Sequence, residues 1–178
     1  NVSISEGALV EPLAIGMQGA KKARIEPGDI AVVIGVGTIG MVTIMAALAS
    51  GCSSVIAIDV LRPKLDIAAK FGAVKTIYAD SEDVAEIVMA ETERYGADIV
   101  FEASGNEKAA SGIFGLLRPG GKVVYIGMPP SGVAPINIVE ALEMASSFDP
   151  YSAINFDPGG KKLFLLPLLD SVRLSSQR

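Results

Sequence analysis

The sequence predicts an α/β domain built on one doubly wound parallel sheet with helices on both faces. Three observations carry that expectation. Between residues 30 and 126, short apolar runs rich in β-branched residues alternate with longer helical patterns. A Gly-x-Gly-x-x-Gly run stands where the first apolar run gives way to the first helical pattern, and an acid closes the second run. Nearly continuous hydrophobic runs are the pattern of parallel strands buried on both faces, because crossover helices cover both sides of the sheet. Strand, helix and strand in repetition then imply right-handed crossovers.

The elements follow in order. Residues 6–24 read as a leading helix with Leu9, Leu13, Met17 and Ala20 on one face. Pro27-Gly28-Asp29 breaks the chain before the first strand, IAVVIG at 30–35, and Ser50-Gly51 ends the helix predicted at 38–50. Further strands are predicted at 54–59, 74–79, 97–103 and 122–127, with helices at 62–71, 81–94 and 106–117 between them. Ser81 is half a capping signal for the third of these four helices, and Glu82 and Asp83 suit the positive end of its dipole. Pro119-Gly120-Gly121 makes the turn into the fifth strand. After Gly127 the pattern changes: 128–137 reads as a loop with one short edge strand, 138–145 as a short helix, and 146–178 has no readable structure.

Composition narrows the function classes. The chain has 178 residues, enough at about 150 per domain for one ordinary domain with a sizeable core. Half of it is hydrophobic and only 20% is charged, the opposite of a disordered composition. Fifteen basic and twenty acidic residues leave a net charge of −5, so the basic footprint of a nucleic-acid binder is missing. Zero histidines and one cysteine remove Ser-His-Asp and Cys-His catalysis, zinc fingers and internal disulfides. No apolar stretch is long enough to cross a bilayer, and the start NVSISEG lacks the basic and apolar regions of a secretory signal. Those features and the lone Cys52, expected as inert packing, predict a cytoplasmic protein without membrane or nucleic-acid partners. The start at Asn1 reads as that of a fragment or processed product. A mean hydropathy of +0.46 predicts surface covered by a further domain or by a second subunit.

Gly35-Val36-Gly37-Thr38-Ile39-Gly40 carries the chemistry. With a strand before it, a helix after it and an acid about 20 residues on, it has the context of a Rossmann-type dinucleotide site. Gly35 permits the tight turn, Gly37 lets the main chain approach a pyrophosphate, and Gly40 allows close packing of helix on strand. The N–H groups of Gly37, Thr38 and Ile39 then face the anion. A glycine turn that merely packs is the alternative. Asp59, closing the second strand, would accept from an adenosine ribose 2′-OH and repel a 2′-phosphate, which favours NAD over NADP. It could equally be a polar strand end. Arg62 and Lys64 complicate that preference, since either could pair with a phosphate, and Lys64 could instead serve the ribose 3′-OH or be plain surface lysine.

With EGALVEPLAIGMQ, PGDIAVVIGVGTIGMVT, the Asp59 to Lys64 spacing, GADIVFEASG and RPGGKVVYIGMP in this order, the chain resembles the coenzyme domain of zinc-type medium-chain alcohol and polyol dehydrogenases. The sorbitol and xylitol dehydrogenase branch is the nearest, and GMQ leans toward the xylitol enzymes. The match runs over about 6–138. The resemblance implies that Gly35, Gly37, Thr38, Ile39 and Gly40 hold the pyrophosphate, and Asp59 and Lys64 the adenosine ribose. It puts Ala103, Ser104 and Gly105 by the two riboses, and Ile126, Gly127 and Met128 in the nicotinamide pocket. Glu11 matches the acid near the catalytic zinc, which binds it directly or through water; on its residues alone it is a helix-capping or surface acid. In this family zinc lowers the pKa of the substrate hydroxyl and hydride passes from carbon to NAD. Relatives form dimers or tetramers.

The family places a catalytic domain carrying the Cys and His zinc ligands before the coenzyme domain, and this chain has no His. The expected organisation is therefore a leading helix at 1–25 coming from that absent domain, an NAD-binding domain at 26–145 and a tail at 146–178. The expected function is the NAD-binding part of a zinc-dependent polyol dehydrogenase that oxidises a secondary alcohol to a ketone, inactive without its catalytic domain. A free-standing dinucleotide-binding module with no chemistry of its own is the alternative from another class. An S-adenosylmethionine methyltransferase shares the glycine turn and the acid, but not the family motifs.

Overall fold

The computed structural model describes residues 2–132, together with two short strands, Asn155–Phe156 and Leu163–Phe164, which pair antiparallel. Of the loop and edge strand expected over 128–137 only 128–132 are described; the helix expected over 138–145, and the tail apart from these two strands, lie outside the described residues.

Two helices, α1 (Ile4–Gly7) and α2 (Val10–Ala23), precede the sheet. The expectation of one helix over 6–24 is corrected, and the reason is local. Ser3 and Glu6 form a capping box that starts α1 at Ile4. The ring of Pro12 would clash with the Ala8 carbonyl in a continuous helix, whereas in the first turn of a new one it is tolerated. The buried face also differs from the expected one. Ala20 is buried, but with Gly16, Gly19 and Ala23, while Leu9, Leu13 and Met17 stand exposed. Small residues line the contact because α2 lies against α3 (Thr38–Ala49) at backbone range: a Cβ on Gly16 would stand 2.8 Å from the Val42 carbonyl. Held between α2 and the sheet, α3 is apolar on nearly every side, with Val42, Ile44, Ala46 and Ala47 buried.

The sheet holds β1 (Ile30–Ile34), β2 (Ser54–Asp59), β3 (Lys75–Tyr78), β4 (Ala97–Glu102) and β5 (Leu117–Tyr125) in the order β3-β2-β1-β4-β5. All four pairings are parallel. The expected doubly wound parallel sheet is therefore present, and its order reverses between β1 and β4. Side chains alternate between two cores. Ala31 and Val33 join Ile44, Leu65 and Phe101 on the face covered by α3 and α4 (Arg62–Lys70), while Val32 and Ile34 join Ile77, Val88 and Ile113 on the other.

Three further boundaries moved. Asp83, not Ser81, caps α5 (Val84–Glu91), accepting from Glu86 N at 3.1 Å, and the chain leaves that helix through Glu93 and Arg94 at positive φ. The helix expected over 106–117 is a short α6 (Glu107–Ser111) followed by a 3-10 turn, Ile113–Leu116, because Gly112 and Gly115 weaken a continuous helix by about 1 kcal/mol each. Pro119-Gly120-Gly121 lies inside β5 as an irregularity: Ala97 pairs with Leu117 but Ile99 with Lys122. Asp98 holds this excursion, accepting from Arg118 Nε at 2.5 Å while its other oxygen accepts from Ile30 N at 2.7 Å.

Cys52 is buried just ahead of β2, and burial, with Asp29 and Asp98 adding to it, pushes its thiol up to about 11. A raised thiol pKa leaves less thiolate at any pH below it. Ellman's reagent at pH 8 should therefore label Cys52 at least about 100-fold more slowly in the native chain than in guanidinium; equal rates would contradict this packing. Substituting Gly16 by Ala should lower stability by about 1–3 kcal/mol, because the Val42 backbone cannot yield as a side chain can, and thermal melting reads that loss.

Candidate dinucleotide site

At the C-terminal edge of the sheet, on both sides of the β1/β4 switch point, lies a cleft of about 830 Å³. Gly35, Gly37, Asp59, Lys64, Ala103 and Ser104 line it. Open α/β sheets place ligands at this point because the loops after two neighbouring strands run in opposite directions and leave a crevice.

The glycine turn is built from close approaches. Gly35 has φ +83, and a Cβ there would fall 2.6 Å from Ser104. Gly40, expected to pack on the strand, would press a Cβ chiefly into the Gly35 carbonyl oxygen, with Val33 Cγ1 farther off at 3.5 Å. It therefore seats α3 on the turn itself. Gly37 looks into open space and is the N-cap of α3 without any side-chain cap. Its carbonyl accepts from Met41 N at 2.9 Å, so the helix begins there and its first-turn N–H groups remain for a ligand. Thr38 is exposed and Ile39 half-buried on that turn. This is the geometry that accommodates a diphosphate.

Asp59 is buried, and its carboxylate is already at work. Oδ2 accepts from Val36 N at 2.8 Å and Oδ1 from Leu61 N at 2.9 Å, while Lys64 Nζ stands 4.0 Å from Oδ2. The acid thus ties the middle of the glycine turn to the end of β2 and keeps further lone pairs that can accept. Arg62 is occupied elsewhere: its guanidinium lies over the Tyr78 ring, 4.1 Å from the centroid.

Across the switch point the chain folds back on itself. Ala103 N donates to Ile34 O at 2.8 Å, and Ile126 N and Gly127 N both donate to Glu102 O, at 2.7 and 2.8 Å. A Cβ on Gly105 would stand 2.7 Å from the Met128 carbonyl oxygen, so the turns after β4 and β5 are stacked backbone to backbone. Ala103 and Ser104 therefore reach the cleft with Gly35, and Gly127 and Met128 form the layer behind Gly105. Ile126 turns the other way, its Cδ1 against Gly19 of α2. Glu11 stands exposed in the first turn of α2, and among the described residues no three His, Cys, Asp or Glu side chains converge as a metal site. The residues present do not form a zinc site by themselves.

Glu102 was missed by the sequence reading. It is buried, with Ser104 N at 2.8 Å and Gly105 N at 3.0 Å donating to Oε1, to which the Ser104 hydroxyl also donates. The signal was present as an acid inside a buried parallel strand, directly before a turn. Tyr125 stands nearby, its phenol pushed up to about 12 by burial and by the Glu102 charge.

Replacing Gly35 by Ala should abolish the turn's shape, since both the positive φ and the approach of Ser104 forbid a Cβ. The expected result is a melting temperature lowered by a loss of about 1–3 kcal/mol; an unchanged melting curve would contradict the geometry.

The model of the family described as zinc-binding dehydrogenase matches residues 38–148. A provisionally named D-xylulose reductase of Agrobacterium fabrum (strain C58) is 54% identical over 139 residues, which is 78% of this chain and 39% of that protein. The D-xylulose reductase of Morganella morganii is 46% identical over 142 residues, 79% of this chain and 41% of that protein. Among solved structures, a dehydrogenase of Sinorhizobium meliloti 1021 bound to NADP is similar at a TM-score of 0.70 with 28% identity, covering 75% of this chain and 40% of that one. The chain thus spans about two fifths of the length of the relatives it matches. No helix among the described residues is long and apolar enough to cross a membrane. The parallel sheet, the glycine turn and these likenesses agree: the chain belongs to the zinc-binding dehydrogenase family.

Proposed function

We propose that this chain is the NAD-binding part of a zinc-dependent polyol dehydrogenase of the xylitol and sorbitol type, which oxidises a secondary alcohol to a ketone. The observation that carries the reading is Asp59, held at the end of β2 beside the glycine turn and lining the same cleft. The family pairs a nicotinamide dinucleotide with zinc, and the named relatives above act on D-xylulose. The whole protein's substrate is then a small polyol, and the exposed apolar residues Leu9, Val10 and Leu13 support a covered α2 face in a cytoplasmic dimer or tetramer.

The chain's own part is binding and orientation. The bare N-terminus of α3 holds the diphosphate through main-chain N–H groups and the helix dipole. Asp59 accepts from the adenosine ribose and, with Lys64 beside it, sets the distance between that ribose and the turn. Ala103 and Ser104 line the opposite wall, and Gly105 lies behind them against Met128. Hydride transfer is chemistry the dinucleotide supplies when bound. Glu11 is not joined by further converging His, Cys, Asp or Glu side chains among the described residues, so the zinc ligands of such an enzyme would come chiefly from elsewhere in the protein.

Asp59 also supports NAD over NADP. A 2′-phosphate would meet a buried carboxylate, while Arg62, stacked on Tyr78, is turned to another partner. A fluorescence titration of the chain with NADH and with NADPH tests this. NADH should bind at least about tenfold more tightly, and Asp59→Ala should narrow the difference while weakening NADH itself, since the Val36 and Leu61 bonds go with the carboxylate. Equal affinity of the parent chain for both cofactors would sink the preference, and binding of neither would sink the dinucleotide reading. A free-standing dinucleotide-binding module is the alternative reading. Xylitol-dependent reduction of NAD by the longer protein containing this chain decides for the enzyme.

A further inference from the structure

Glu102 lies where three segments of the cleft meet. A Cβ on Gly127 would collide with its Oε2, Gly105 lies under Met128, and Ser104 leans on Gly35. The carboxylate is only 1% exposed, yet it sits at the end of β4 and not in the apolar core. Burial of a carboxylate is tolerated where donors converge on it, and here two N–H groups and one hydroxyl do.

The bonding around Ser104 has a chemical consequence. A serine hydroxyl has one proton and two lone pairs. The O–H donates a hydrogen bond to Glu102, and one lone pair accepts from Asn106 N at 3.0 Å. What remains, on an exposed residue lining the cleft, is a single acceptor. We propose that Glu102 is a positioning residue of the dinucleotide cleft, fixing the Ser104–Gly105 turn and accepting the hydrogen bond of the Ser104 hydroxyl so that Ser104 meets a sugar hydroxyl only as an acceptor. Such a wall attracts a hydroxyl donor and repels a phosphate oxygen, so it helps to place the ribose and not the diphosphate on this side of the cleft.

This proposal rests on the dinucleotide reading, and two readouts separate their failures. Glu102→Gln keeps a carbonyl oxygen for the three donors, and Glu102→Ala leaves them unpaired in a buried place. In NADH titrations of the chain, Glu102→Ala should weaken binding about tenfold or more, while Glu102→Gln should stay within about threefold of the parent. Amide hydrogen exchange at Ser104 and Gly105 should accelerate in the Ala variant and not in the Gln variant, with the amides of β1 and β2 unchanged. The role is overturned if a folded Ala variant binds NADH like the parent, or if Gln and Ala weaken it equally. Should the Ala variant fail to fold, Ser104→Ala decides: a loss of about fivefold or more in NADH affinity at an unchanged melting temperature supports the proposal, and unchanged affinity overturns it. A parent chain that binds no NADH overturns the dinucleotide reading and the ligand assigned to Ser104 together. Ser104 and Gly105 amides that exchange as fast in the parent as in the Ala variant overturn only the hold of Glu102 on the turn.

Discussion

The loops at the C-terminal edge of the sheet are held by main chain packed on main chain with no Cβ between. Gly35 turns at φ +83 against Ser104, Gly40 rests on the Gly35 carbonyl, and Gly105 lies under the Met128 backbone. Backbone groups brought this close must be paired or aimed at a ligand, because an orphaned buried N–H is costly. The pairing is visible: Gly35 N donates to Ile58 O, Ala103 N to Ile34 O, and Ile126 N and Gly127 N to Glu102 O. The first turn of α3 has no side-chain cap, and its N-cap Gly37 lines the cleft.

Two buried acids complete this arrangement from opposite sides of the switch point. Asp59 binds the N–H of Val36 in the glycine turn, and Glu102 binds the N–H groups of Ser104 and Gly105 in the facing turn. Each carboxylate closes the strand before its loop and reaches into the next segment of the cleft wall. The site is therefore tied to the rigid sheet at both ends, its lining supplied by strand ends, the turns after them and the first residues of helices. With no side-chain cap at its N-terminus, α3 draws its stability from burial between sheet and α2.

The α2 helix shows how local pattern and tertiary packing diverge. A helical stripe of Leu9, Leu13 and Met17 would ordinarily mark the buried face. Here α2 meets α3 at a distance only glycine and alanine allow, so Gly16, Gly19, Ala20 and Ala23 go inward and the large residues stay out. Hydrophobic periodicity ranks faces by apolar area and has no measure of how close two backbones come.

The five strands, the three helices α3 to α5, the glycine turn and Asp59 were legible in the sequence alone, because each rests on local chemistry: β-branched runs, φ-permissive glycines and an acid at a strand end. The family motifs, too, are strings of adjacent residues. Tertiary structure alone decided which groups on different loops meet. Sequence could not show that Asp59 is already engaged by Val36, that Arg62 is drawn onto Tyr78, or that Ile126 faces α2, away from the cleft. Nor could it reveal Glu102, whose carboxylate accepts from the turn after β4 and lies against Gly127 in the turn after β5. Those contacts depend on strand register and loop approach across the sheet, and neither is encoded in any single stretch of chain.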